Sequence, residues 1–272
     1  MVAESQNFDA QHWVKTRSSL DQNQSSFVVW TGAIYAWVPG GKRNRLFKMM
    51  GVSVSRCIPT EDGSWDFTSR ELTYYLHPET GEILRQWENP WTGESLTVMH
   101  VANNPVQGCF KGKFPAQVNG DSTTFVFDIF STYPNPLATE PKFADYSPNP
   151  IYQSGELFKL TVPTKELLNP EILSVSKLQL CWDRIGPWVP WMKMGDRPGQ
   201  LIYSAYGGKV NDFTELPSLL KDEINNRVPL YKNAPPSCLD VEDMTSWLYF
   251  QQNFDAYLAG ETFPLPQPED VT

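Results

Sequence analysis

A chain of 272 residues, 40% of them hydrophobic and 13% aromatic, has the material for one large domain with a full core. Its formal charge of −9, without any run of Lys and Arg, argues against nucleic acid and anionic membrane as partners, because phosphate neutralisation needs clustered cations. No apolar stretch reaches the ~20 residues of a membrane span, and the first residues lack the basic and apolar regions of a signal peptide, so a cytoplasmic protein is expected.

Residues 8–20 pattern as a short helix with Trp13, Val14, Arg17 and Leu20 toward one side. Strand signals run over 27–38, ending at Pro39-Gly40-Gly41, and over 45–58, where Gly51 is expected to mark a bulge. Residues 64–69 lead into 71–77. Between 74 and 108, two strand-type runs each end in a proline and a Thr-Gly-Glu turn, at Thr80-Gly81-Glu82 and Thr92-Gly93-Glu94. This predicts three antiparallel strands joined by two tight hairpins. A strand over 110–118 closes at Asn119-Gly120, a favoured hairpin turn, and 123–133 is strongly β-like.

The pattern breaks over 134–154, where Pro134, Pro136, Pro141, Pro148 and Pro150 deny a ladder its N–H groups. This loop is a candidate lid. Strand signals return at 156–162, 176–183 and 200–207. Between the last two, residues 186–199 carry Trp188, Trp191, Met192 and Met194, which must be buried or face a ligand. Leu216, Leu219, Leu220 and Ile224 then fall at helical spacing. Asp240 is placed to cap a second helix that Gly260 ends. The resulting fold is mostly β: a single antiparallel β-barrel, lipocalin-like in broad shape, of about ten or eleven strands with C-terminal helices. Residues 1–26 form an N-terminal segment, 27–210 the barrel, 211–260 the helical part and 261–272 a loose tail.

Familiar catalytic signatures are absent, and three histidines are too few for a multi-histidine metal site. Neither a metal nor a cofactor is expected. Cys57, Cys109, Cys181 and Cys238 are widely spaced with no C-x-x-C pair, which favours free thiols over zinc or disulfides. What remains is polar groups on strands. If Leu96, Val98, His100 and Ala102 point inward, period-two alternation turns Ile83, Arg85 and Trp87 inward beside Leu72, Tyr74 and Leu76. Arg56 shares its face with Val52 and Val54. Arg85, His100, Arg56 and Tyr74 are therefore the candidate catalytic residues. Trp87, Trp91, Trp188, Trp191, Met192 and Tyr203 are the candidate substrate walls. Each also has a plainer reading: a structural salt bridge, a satisfied strand histidine, core aromatics, a packed plug. Asp128 reads as a buried partner for an arginine or tyrosine.

The run W-x-N-P-x-T-G-E at 87–94 continues into V-x-H-V-x-N-x-P-V at 98–106. Upstream stand W-T-G-x-I-Y-A-x-V-P-G and Ser55-Arg56-Cys57, and downstream P-W-x-P-W-M-x-M-G at 187–195. Over roughly residues 27–210 these resemble a family of uncharacterised microbial proteins carried as a domain of unknown function. In overall character the chain also looks like the small cofactor-free hetero-Diels–Alderases of fungal tropolone–sesquiterpene pathways. That resemblance implies a β-barrel that joins a tropolone quinone methide to a humulene-type polyene. The expected partner is thus an apolar or aromatic small molecule. The competing expectations are a non-catalytic binder of such a molecule and an acid–base isomerase or hydratase.

Overall fold

The computed structural model describes residues 4–42 and 44–267. Residues 268–272 of the expected tail lie outside the described residues. The main sheet begins with β1 (Glu4–Asp9), β2 (Ser26–Trp37), β3 (Asn44–Pro59) and β4 (Trp65–Leu76). A small separate hairpin follows, β5 (Gln86–Glu88) with β6 (Ser95–Thr97). The main sheet resumes with β7 (Val101–Phe110), β8 (Lys113–Asn119), β9 (Ser122–Pro134), β10 (Ile151–Pro163), β11 (Gln179–Gly186) and β12 (Gln200–Val210). The ten strands are ordered β1-β8-β9-β10-β11-β12-β2-β3-β4-β7, and every neighbouring pair is antiparallel.

This corrects the expected closed barrel. β1 and β7 are the two edges, so the sheet is a curled half-barrel. The edges are joined by side chains instead of a ladder. Trp13, on α1 (Ala10–Arg17), packs on Phe110 from β7 and on Phe114 and Phe125 from β8 and β9. The N-terminal segment thus supplies an edge strand and an internal plug, where the sequence suggested a barrel confined to 27–210.

Directly paired residues share a sheet face. One face carries Phe8, Ala116, Phe125, Leu160, Leu180 and Val28, from six different strands, gathered around Trp13 in one cluster. Leu167 of α2 (Thr164–Leu168) joins them. That face is the concave one. Following the register, it also carries Trp30, Gly51 and Thr73, then Ser53, Glu71 and Asn103, and Ala205 and Tyr203 on β12.

The outer face of β2, β3 and β4 is also buried. Leu220 and Ile224 of α3 (Ser218–Asn226) and Tyr231 pack there with Val52, Val54, Leu72 and Tyr74. The outer face of β9–β12 is open, with Phe130 74% and Tyr206 67% exposed. Asp128 lies there, exposed, and not as a buried partner.

Several local expectations change for physical reasons. The Thr-Gly-Glu turns form, with Gly81 at φ 78° and Gly93 at φ 73°. The middle strand is only a short excursion, however, and β4 pairs along its length with β7. Gly51 is not a bulge. The register of β3 is regular there, and Gly51 makes room for Trp30, whose indole would meet an added Cβ at 2.5 Å. The irregularity on β4 falls between Ser69 and Glu71. Asp240 does not cap the late helix α4 (Ser246–Gln252). Thr245 caps it instead, accepting from the Leu248 N–H at 3.2 Å. Gly260, at φ 75°, follows α5 (Phe254–Leu258) as expected.

Replacing Gly51 by alanine should therefore cost about 2 kcal/mol, because the added methyl meets an indole and the Leu72 carbonyl. Gly108→Ala, where nothing lies within 4 Å, is the control. Urea denaturation of both variants checks this; equal losses would contradict the packing described.

Candidate functional site

The four candidate catalytic residues do share a face in part, but it is the outer one. Tyr74 is fully buried beneath the C-terminal layer, with its hydroxyl near Glu223. Arg85 donates to Glu223 Oε1 at 2.7 Å and to the Phe263 carbonyl at 2.9 Å. His100 lies just before β7 and is 1% exposed. Its Nδ1 accepts the Tyr75 backbone N–H at 3.1 Å, which puts the ring proton on Nε2. Burial, and then the Arg85 charge, pull this imidazole down to about 3. Arg56 stands apart, donating to the Gln22 carbonyl at 2.8 Å. The structure therefore brings Tyr74, Arg85 and His100 near one another and leaves Arg56 out.

The candidate walls form a plug. Trp87 contacts Trp91 and Trp191, with ring centroids 6.5 and 5.7 Å away, and Trp91 lies 5.2 Å from Trp188. Asn89 ties the loop down, donating to the Met192 carbonyl at 3.0 Å and accepting from the Trp91 N–H at 2.9 Å. Tyr257 donates to the Trp191 carbonyl at 2.9 Å. Met192 is fully buried. Where this plug meets Tyr75, His100 and Tyr249, a cavity of about 10 Å³ remains, room for about one water. Tyr203 lies on the concave sheet face and joins the plug through Tyr75, to which it is hydrogen-bonded and whose ring is 5.3 Å from that of Trp191.

The concave face holds the groups with chemical potential. An aromatic wall runs from Trp30 to Trp182 (6.1 Å), Phe158 (6.3 Å) and Phe127 (4.7 Å). Trp182 Nε1 donates to Glu156 Oε2 at 2.8 Å. Arg184 lies 3.5 Å from Glu156, donates to the Tyr152 hydroxyl at 2.6 Å and sits 5.0 Å over the Tyr203 ring. Facing them is Glu71, paired across strands with Ser53 and Asn103. Arg17 reaches in from α1, donating to Ser53 Oγ at 3.0 Å.

Burial lifts the Glu71 carboxyl above the ordinary carboxylate range. The Arg17 charge opposes that shift, while the charges of Glu156 and Asp243 add to it. Glu71 and Glu156 stand on β4 and β10, far apart in strand order, so the coupling reflects the curl. Arg17 Nη1, Trp30 Nε1 and Asn103 Oδ1 are buried without a hydrogen-bond partner. β8 pairs with β9 only as far as Phe125, so the rest of β9 has β10 alone as its ladder neighbour. Residues 239–244 are held along β7: the Gln107 N–H donates to Asp243, and the Met244 N–H donates to the Pro105 carbonyl at 2.8 Å. Among the described residues, no three His, Cys, Asp or Glu side chains are grouped to hold a metal ion.

Residues 23–254 match the family described as Protein of unknown function (DUF1838). The chain belongs to this family. No curated protein matches it.

In this DUF1838 protein, the sequence pattern singled out Tyr203 among the concave residues and missed Glu71, Trp30, Trp182, Glu156 and Arg184. Arg17 was visible only as a helix residue. A usable signal was the set of small residues Gly32, Gly51, Ala205 and Gly207, which the register places around Trp30. Small side chains opposite a tryptophan mark space made for it.

His100 should stay neutral across the physiological range. Its imidazole NMR resonances are expected not to titrate between pH 8 and 4.5, and a midpoint near 6 would contradict the buried tautomer. The unfolded chain takes up this proton at pH ~6.5 and the folded chain only near 3. Stability should accordingly fall as pH drops through that window.

Proposed function

We propose that the protein is an enzyme acting on a small, largely apolar and conjugated molecule in the concave cleft, with Glu71 as its general acid. The observation that carries this reading is a carboxyl held above its ordinary range, facing a continuous aromatic wall. A carboxyl whose proton is held more tightly than usual is suited to deliver it to a leaving oxygen. Aromatic faces at fixed angles hold a flat or polyene partner in one orientation, which lowers the entropic part of a barrier.

The hetero-Diels–Alder reaction implied by the resemblance is the specific reaction we propose. Glu71 gives its proton to the hydroxyl of a hydroxymethyl tropolone, the C–O bond breaks, and water leaves. The carboxylate left behind takes the proton of the ring hydroxyl, which restores Glu71 and yields the neutral quinone methide. An alkene of a humulene-type polyene, held against Trp30 and Trp182, then adds across that heterodiene to form a dihydropyran. The cycloaddition itself needs no nucleophile from the protein.

Purified protein given a hydroxymethyl tropolone and a humulene-type alkene should form one stereochemically single adduct faster than the no-protein control, as read by mass spectrometry. Glu71→Gln should slow this at least about 100-fold while leaving substrate affinity within a few-fold. Rates that match the control would remove this reaction. Retained binding in that case would favour a non-catalytic carrier.

A further inference from the structure

The enclosed cations of this protein differ in how well they are held. Lys15 donates to three carbonyls, of Glu166, Leu167 and Asn169, at 3.1, 2.7 and 2.7 Å. Lys209 has the carbonyls of Lys15 and Ser18 and the Ser174 hydroxyl, at 3.0, 2.7 and 2.9 Å. Arg184 is held by Glu156 and Tyr152. Arg17 is held less completely. One terminal nitrogen bonds Ser53, the guanidinium lies 5.3 Å from the Phe67 ring centroid, and Nη1 has no partner.

Two more unpartnered atoms lie in the same stretch of the concave face. Trp30 is paired with Gly51, and its Nε1 edge lies directly over that glycine. Gly51 is paired with Thr73, two residues from Glu71, and Glu71 is paired with Asn103. Arg17 is bonded to Ser53, which is paired with Glu71, so its free donor, the Trp30 N–H over Gly51 and the Oδ1 of Asn103 opposite Glu71 belong to one stretch of this face. Burying polar groups without partners is costly, and three in one patch are rarely retained for packing alone.

We propose that Arg17 Nη1 and Trp30 Nε1 dock a delocalised oxyanion of the substrate, with Asn103 Oδ1 accepting from a neighbouring hydroxyl. The chemical class is a phenolate, enolate or conjugated carbonyl whose oxygen gains negative charge. This rests on the concave cleft being the working site, and it adds which end of the substrate enters first. Two fixed donors aimed at such an oxygen stabilise charge as it develops, without reorganising at the moment of reaction. Glu71, Lys209 and Cys57 are the titratable groups around Arg17; burial raises the Glu71 carboxyl and pushes the Cys57 thiol up to about 12.

The test uses 4-nitrophenol, whose ionised form absorbs visibly, and its neutral isostere 4-nitrotoluene. The protein is expected to bind the phenolate at least about 10-fold more tightly than 4-nitrotoluene and to lower the ligand's apparent pKa by about 1 unit. Trp30→Phe, which keeps a ring and removes the N–H, should weaken phenolate binding about 10-fold and leave 4-nitrotoluene unchanged. Arg17→Gln should do the same. If that variant fails to fold, Arg17→Lys takes its place, since a point charge does not reproduce the fork of donors. Arg45→Gln, at an exposed ion pair with Glu79, is the control. Equal binding of the two ligands, or variants that weaken both alike, would overturn the oxyanion dock while leaving the cleft standing. Binding of neither ligand would overturn the dock and the cleft reading together.

Discussion

The packing of Trp13 holds the two ends of the sheet together. It stacks on Phe114 at 5.0 Å with rings nearly parallel, and meets Phe110, Phe125 and Phe127 edge-on. Phe110 belongs to one end of the strand order and the other three to the opposite end. Ring pairs of this kind add about 0.5–1.5 kcal/mol each beyond the area they bury. A closed ladder would have sealed the barrel along its length. An aromatic clasp fixes one end; further along, residues 243–247 span the seam, the Met244 N–H donating to the Pro105 carbonyl on β7 and Trp247 packing 4.7 Å from Tyr152 on β10.

The remaining layers follow from covering the other surfaces of the curl. The Trp188–Met194 loop fills the end opposite α1, α3 covers the outer face of β2–β4, and α4 and α5 pack against Tyr152 and the Phe143–Tyr146 loop. The charges in these layers are consumed by the fold: Arg85 spans Glu223 and the Phe263 carbonyl, and Lys193 pairs with Glu94 at 2.8 Å. Inside the curl the balance differs. Glu156 and Arg184 neutralise one wall, while Glu71 and Arg17 on the other are near in charge but only loosely bonded. Rigid support on one side and unspent polarity on the other is the arrangement expected of a working site.

The strands were largely legible in the sequence because β-branched and aromatic runs are punctuated by Pro and Gly, and Asn119-Gly120 marked its hairpin directly. The late helices were legible through Leu220 and Ile224. β1 was not, since its six residues, Glu-Ser-Gln-Asn-Phe-Asp, bury only Phe8. The faces were the larger failure. Alternation separates inside from outside only when one face meets water. On β4 nearly every residue from Phe67 to Leu76 is buried, because α1 and the cleft lie on one side and the C-terminal layer on the other. Tyr74 and Glu71, three positions apart, therefore look equally internal in the sequence, yet they lie on opposite faces. The plug was legible as an alternative for Trp188–Met194, since such a loop must hide somewhere.

The central claim is that ligands enter the concave cleft and not the outer layer around Arg85 and Tyr74. A crystal structure of the protein soaked with hydroxymethyl tropolone tests it most directly. The account predicts ligand density between Glu71, Trp30 and Trp182, with the outer layer unchanged. Density against Arg85, Tyr74 and Glu223, or a ligand that displaces the Trp188–Met194 plug while the cleft stays empty, would contradict it.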